Sequence, residues 1–257
     1  MKKALSFEAV IFDLDGVITK TALVHSEAWT RMFKDYLAFR RKAYSENHNE
    51  FTHQRDYLPF VDGKPRYKGV SDFLASRDIK IPYGNPGDTV DMETVCGLGN
   101  RKNEYFNRIL ETEGVEVYES TISFIHELIS CSIKIGVASS SANCRKVLER
   151  AGIINLFQTR VDGEVSAIMK LKGKPEPDIF TTASDNLKVP YRLAVVVEDA
   201  VSGVQAGKKG NFGFVLGIAR EENAADLMMN GADIVVTDIS ELDGVDGLEK
   251  EFIKKND

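Results

Sequence analysis

Three cysteines in 257 residues, Cys96, Cys131 and Cys144, are too few and too irregularly spaced for a disulfide framework or a zinc site. Their odd number implies reduced thiols packed in the interior. Basic residues are also scarce: 33 lysines and arginines face 39 aspartates and glutamates, and the net charge of -6 gives nucleic acid no general electrostatic attraction. Any anion site must therefore be local. Long apolar runs are missing too. The basic start Met1-Lys2-Lys3 leads into a short apolar stretch that Glu8 and then Asp13 interrupt, so neither a secretory signal nor a membrane span is expected, and the protein is expected in the cytosol. No G-x-x-x-x-G-K-[ST] occurs, since Gly173-Lys174 runs into Pro175, which excludes a P-loop kinase. His48 and His53 lack the spacing of a helical zinc pair. What is present is a globular composition, 43% apolar and 28% charged, in a chain long enough for one large domain or a main domain with a smaller one.

The stretch Ala9-Val10-Ile11-Phe12 reads as a strand buried on both faces, and Asp13 and Asp15 follow where the apolar run stops. Carboxyl ends of strands are where open α/β sheets bind ligands. Gly16 lets the chain turn sharply there. An EF-hand is excluded because its glycine would stand further along and the remaining ligands are missing.

A helix is expected from 22 to 41, where Ala28, Trp29, Met32, Phe33, Tyr36, Leu37 and Phe39 recur mainly at three- and four-residue intervals and mark one buried face. Residues 42 to 65 show no clean period. Short helices are expected over 71–77 and 100–113. From about Val115 strands and helices alternate: strands at 133–138, 157–161, 193–197, 212–216 and 234–236, and helices at 121–130, 143–151, 176–186, 202–209 and 224–230. The 176–186 helix is expected to be entered through Pro175. This pattern predicts an α/β class, a Rossmann-like parallel sheet formed by residues 1–18 and 119–257, with residues 19–118 inserted as a helical cap domain.

Three further clusters fall at expected strand ends or turns: Ser139-Ser140-Ser141, Gly173-Lys174-Pro175 and Glu198-Asp199. Singly each has an ordinary explanation, such as a helix N-cap or a solvated turn. In a parallel sheet they share one edge with Asp13 and Asp15. Carboxylates ~4 Å apart repel by roughly 4 kcal/mol per pair at an effective dielectric of ~20, so the cluster calls for a cation. Mg²⁺ suits a site that also holds phosphate. Lys174, the Ser139 hydroxyl and the N–H groups of the following helix suit a tetrahedral anion. The chemistry specified is phosphoryl transfer, with Asp13 as nucleophile and Asp15 as general acid/base.

FDLDGVI at 12–18, VASSSAN at 137–143, GKPEPDIF at 173–180 and VEDAVSGVQAG at 197–207 together resemble the haloacid dehalogenase superfamily, in its β-phosphoglucomutase-like branch. The resemblance implies Mg²⁺ held by the Asp13 carboxylate, the Asp15 carbonyl and Asp199, with Glu198 close by and also counted among the metal residues. It implies phosphate binding by Ser139, Ser140, Asn143 and Lys174. In the cap it matches His25 and Trp29, the lysine Lys102 in Arg101-Lys102-Asn103, and Tyr67-Lys68-Gly69-Val70-Ser71. The arginine expected next, which in mutases holds a second phosphate, is Asp72 here, and Lys20 replaces an acidic residue after the first motif. Arg66 and Arg77 are the candidates to replace that arginine. The segment 42–65 and the runs around VDGKPRYKGVSDFLASR resemble phosphatase-like domains of disaccharide metabolism. The expected function is therefore Mg²⁺-dependent hydrolysis of a phosphorylated sugar, with β-phosphoglucomutase activity as the alternative and non-catalytic sugar-phosphate binding as a remote one. A monomer or weak homo-oligomer is expected, without nucleic-acid or membrane partners.

Overall fold

The computed structural model describes residues 5–220 and 222–257, so the Met1–Ala4 part of the basic start lies outside the described residues. Contacts divide the chain into two compact units, Met1–Lys20 with Val115–Asp257, and Thr21–Gly114. The divisions fall beside the expected 18/19 and 118/119 boundaries because both connections are paired into the first unit. Thr19 bridges Val117, the Lys20 N–H donates to the Glu116 carbonyl at 2.9 Å, and the Tyr118 N–H donates to the Ile18 carbonyl at 2.9 Å. Lys20 itself pairs with Glu116 across this ribbon, where both side chains are solvated.

Strand β1 (Ala9–Phe12) opens the first unit and is buried throughout. The second unit then begins with α1 (Thr21–Tyr44), followed by a π-helix at His53–Tyr57, the short turn α2 (Leu58–Phe60), α3 (Arg66–Ser76) and α4 (Val95–Glu113). Ala28, Trp29, Met32, Phe33, Tyr36 and Leu37 are buried as the apolar spacing of α1 specifies, together with Thr21, whereas Phe39 is 46% exposed on the solvent side of the helix. Phe33 packs between Trp29, Phe51 and Phe73, with ring centroids 5.5, 4.9 and 4.0 Å away. Thr94 starts α4 by accepting the Gly97 N–H at 2.9 Å, so that helix begins well before the expected residue 100.

The segment 42–65, which shows no clean period, holds the end of α1, the π-helix and α2. Local and distant partners order the π-helix together: Asp56 accepts the Thr52 N–H at 2.8 Å and pairs with the neighbouring Arg55 at 3.0 Å. Asp56 is fully buried, and Arg77 reaches it at 2.6 Å.

The first unit resumes with α5 (Glu119–Ser130), β2 (Lys134–Ala138), α6 (Cys144–Arg150), β3 (Thr159–Val161), α7 (Gly163–Met169), α8 (Asp178–Leu187), β4 (Ala194–Glu198), α9 (Val201–Lys209), β5 (Phe214–Ile218), α10 (Ala224–Asn230), β6 (Ile234–Val236) and α11 (Gly244–Asn256). Helix α8 begins beyond Pro177 rather than at Pro175, because Glu176 first closes a turn onto the Gly173 carbonyl at 3.0 Å. Helices α7 and α11 were not expected. The six strands form one parallel sheet in the order β3-β2-β1-β4-β5-β6. This is a Rossmann-like α/β fold, with the order reversing beside β1. Phe12 pairs with Val137 on one side and Val197 on the other, which sets the residues after all three strands side by side.

Cys96 and Cys144 are buried free thiols, while Cys131 is only half-buried. Among the described residues no helix is long and apolar enough to cross a membrane.

Removing the Phe33 ring should leave a cavity in the second unit's core. Phe33→Ala is expected to lower stability by about 3–5 kcal/mol in chemical denaturation, and a loss below about 1 kcal/mol would show that this aromatic cluster does not support the unit.

Candidate active site

The register of β1 against β4 fixes the centre of the site. The Asp13 N–H donates to the Val197 carbonyl at 2.9 Å, which places Asp13 beside Glu198 at the carboxyl edge. Both carboxylates meet Lys174, whose Nζ donates to Asp13 Oδ1 at 2.5 Å and to Glu198 Oε1. Lys174 is only 3% exposed and Glu198 is fully buried. Burial alone would drive the ammonium toward neutrality, but the carboxylates of Asp13 and Glu198 outweigh it and hold the Lys174 pKa above its usual value. Burial raises the Asp13 pKa; the lysine opposes this, while Glu198 and Asp15 add to it.

The other oxygens of the cluster are also committed. Asp13 Oδ2 accepts the Asp15 N–H at 2.9 Å, which ties the two aspartates of the loop together. Glu198 Oε2 accepts the Ala200 N–H at 2.7 Å. With Oε1 on Lys174 and Oε2 on Ala200, Glu198 holds Lys174 in the cluster, as Asp13 does through its own Oδ1. A glycine makes this possible: a Cβ on Gly203 would stand 1.9 Å from the Glu198 carboxylate.

Gly16 serves Asp199 in the same way. Its φ of +85° suits glycine, and a Cβ there would lie 1.8 Å from Asp199 Oδ2. The Asp199 carboxylate thus rests against the loop that carries Asp13 and Asp15. On the other side of β1, Ser139 is buried at the end of β2, and its Oγ lies 3.4 Å from Asp15 Oδ2 and accepts the Ser141 N–H at 3.0 Å. The Asn143 N–H donates to Ser141 Oγ at 3.2 Å, and Gly163 lets the 140–142 backbone pack close against the start of α7.

Asp13, Asp15, Ser139, Lys174, Glu198 and Asp199 are therefore brought to one edge, while Ser140 and Asn143 belong to the adjoining loop. Four carboxylates stand there against one lysine. Among the described residues no three His, Cys, Asp or Glu side chains form a ready-made metal cage. The available donors, one or two carboxylates and a backbone carbonyl, still match Mg²⁺, which keeps waters and takes phosphate oxygens as further ligands. One contributor was not read from the sequence: Arg220 donates from Nε to the Gly16 carbonyl at 2.8 Å. Its position two residues past the carboxyl end of β5 was the available signal.

In the second unit, Lys102 is 3% exposed and its Nζ meets His25 Nδ1. That ammonium lies 5.2 Å from the Trp29 ring and 4.7 Å from the Phe106 ring, and His25 stacks on Phe106 at 4.0 Å. His25, Trp29 and Lys102 are thus one cluster. Lys68 is separate and solvated, and pairs with Asp72, which also takes Lys64 at 2.9 Å. The aspartate in place of the expected arginine therefore sits between two lysines. Arg77 pairs with the buried Asp56 at 2.6 Å. Arg66 contacts neutral Asn103 at 2.9 Å and Asn100 at 3.5 Å.

A family model for haloacid dehalogenase-like hydrolases matches residues 7–211. A β-phosphoglucomutase of Mycobacterium bovis is 45% identical over 237 residues, spanning 91% of this chain and 90% of that protein. A phosphorylated carbohydrates phosphatase of Thermotoga maritima is 28% identical over 239 residues, spanning 91% of this chain and 96% of that protein. Among solved structures, a β-phosphoglucomutase from Clostridium difficile has the same fold, with a TM-score of 0.75 at 24% identity over 96% of this chain and 98% of that one.

Replacing Lys174 should strand two buried carboxylates. Lys174→Met is expected to cost about 3–5 kcal/mol in denaturant unfolding, and adding Glu198→Gln should recover part of that loss. Independent, additive losses in the double variant would show that the two side chains are not coupled.

Proposed function

The chain belongs to the haloacid dehalogenase-like hydrolases, in their β-phosphoglucomutase-like branch, and on that premise we propose that it moves the phosphoryl group of a sugar phosphate through Asp13, as a Mg²⁺-dependent phosphomutase. The observation that carries the chemistry is the buried contact of Asp13 with Lys174, beside Asp15 and Ser139.

The carboxylate of Asp13 attacks phosphorus in line with the ester oxygen. The bond to that oxygen breaks as the bond to Asp13 forms, and Asp15 gives the departing sugar oxygen its proton. In the second half Asp15 takes a proton from an incoming hydroxyl, which attacks the same phosphorus and releases Asp13. Lys174 and Ser139 hold the non-bridging oxygens and oppose the charge that builds on them, with Glu198 orienting the ammonium. The Asp13 and Asp199 carboxylates and the Asp15 carbonyl, with Glu198 close by, would hold Mg²⁺, which would supply the remaining charge neutralisation. From the second unit His25, Trp29, Lys102, Arg66 and Lys68 are proposed as the residues that recognise the sugar and its phosphate.

The mutase reading is preferred to simple hydrolysis for two reasons. The relative with 45% identity is a β-phosphoglucomutase, and Lys64 and Lys68 leave the Asp72 position with a net positive surrounding instead of a bare carboxylate. Hydrolysis is the second reading, supported by the absence of the arginine itself and by likeness to the carbohydrate phosphatase.

The deciding experiment runs a coupled assay for β-glucose 1-phosphate to glucose 6-phosphate conversion, primed with a sugar bisphosphate, beside phosphate release from a panel of sugar phosphates. Isomerisation faster than release is expected, and release without isomerisation would replace the mutase reading with the phosphatase one. Asp15→Asn should lower turnover ~10²–10⁴-fold, and chelation should abolish it until Mg²⁺ is restored. Full turnover after chelation would contradict the metal's role.

A further inference from the structure

The loop after β5 contacts both acidic loops through their backbones. Arg220 Nε donates to the Gly16 carbonyl at 2.8 Å, and Asn223 Nδ2 donates to the Asp199 carbonyl at 3.1 Å. These are the loops that carry Asp13, Asp15 and Asp199, and they already touch, since the Asp199 carboxylate rests on Gly16.

Neither side chain is where ordinary packing or capping would put it. Asn223 occupies the N-cap position of α10 yet makes no side-chain cap bond, although asparagine is among the residues best suited to one. Its amide is turned to Asp199 instead. The guanidinium carbon of Arg220 lies over the Tyr118 ring, 3.6 Å from the centroid, and its Nη1 donates to the Thr237 carbonyl at 3.0 Å and to Asp238 Oδ2 at 3.1 Å. Asp238 is held in turn by Ser120 Oγ at 2.9 Å and by Ser240. The guanidinium is therefore fixed by the Tyr118 ring and from one edge before it meets Gly16. Arg220 Nη2 and Asn223 Oδ1 are buried without a hydrogen-bond partner among the described residues. Apolar side chains of similar size would fill the same space without burying those atoms, so packing does not account for this pair.

We propose that Arg220 and Asn223 are positioning residues that hold the Asp13–Gly16 loop and the Asp199 loop in register, so that their oxygens present one divalent-cation site. This rests on the reading of that edge as a Mg²⁺ site. Neither residue touches the cation or the substrate. They act as outer partners of its ligands, a role whose loss costs typically ~10–100-fold in metal affinity.

The test uses Mg²⁺ alone as the probe. The melting temperature is followed against Mg²⁺ concentration for the wild type, Arg220→Ala, Arg220→Lys and Asn223→Ala, and the Mg²⁺ activation constant of turnover is measured beside it. Wild-type melting should rise with Mg²⁺. Arg220→Ala and Asn223→Ala should need ~10–100-fold more Mg²⁺ for the same rise, with KM for the sugar phosphate little changed at saturating Mg²⁺. Arg220→Lys, which keeps one donor but loses the planar fork, should fall between. Asn223→Ala removes a single side-chain bond and carries the test if Arg220→Ala does not fold. A lower melting temperature with an unchanged Mg²⁺ midpoint in the variants overturns the proposal and leaves the pair merely structural. A wild type that shows no Mg²⁺-dependent rise overturns the metal reading itself, a separate and recognisable failure.

Discussion

The contact of Lys174 with Asp13 and Glu198 is the interaction on which the first unit depends. Two carboxylates at adjacent strand ends would repel in a buried setting, and the lysine between them makes the arrangement tolerable. Its position follows from topology. The chain builds β2 and β3 on one side of β1, then returns to lay β4, β5 and β6 on the other, so the strand order reverses beside β1. At such a reversal the loops part and leave a crevice at the carboxyl edge. Asp13 and Glu198 stand on the two strands that flank it. Ser139, on the strand at β1's other side, completes the row.

The same crowding explains the glycines at the site. Glu198 needs the space a side chain at position 203 would fill, and Asp199 needs the space beside Gly16. Each close approach puts a carboxylate where its charge acts on the next residue. What the cluster still lacks is positive charge, with four carboxylates against one ammonium, and that imbalance favours a bound dication and discriminates against a closed hydrophobic pocket. The second unit answers a different need. Its core is aromatic, built on Phe33, Phe51 and Phe73, and its buried Lys102, paired with the half-buried His25, lies against Phe106.

Much of the first unit was legible because fully buried parallel strands appear as continuous apolar runs: Ala9–Phe12 and Ala194–Val197 could hardly be anything else. The edge was legible for the same reason, since carboxylates and a serine run that follow such strands must share it, while Lys174 arrives there from the turn between α7 and α8. The roles within it were less so. Glu198 reads as a metal residue by its neighbour Asp199, and only the distances show that it also takes the Lys174 ammonium and the Ala200 N–H. The π-helix at 53–57 was hidden because polar contacts hold it, the Asp56 carboxylate taking the Thr52 N–H and the Arg55 and Arg77 guanidiniums, and no apolar period records that. Helix α11 is a different case. Val245, Leu248 and Phe252 recur at three- and four-residue intervals and are buried, so the signal was present in the sequence.

The most direct test of the central claim is to look for phosphate on Asp13 itself. The enzyme is mixed with substrate and Mg²⁺, quenched in acid within a turnover, digested and analysed by mass spectrometry. One phosphoryl group on the peptide that carries Asp13, absent from Asp13→Asn, is the expected result. Full turnover with the phosphoryl group on another residue, or with none on the protein at any quench time, would contradict Asp13 as the nucleophile.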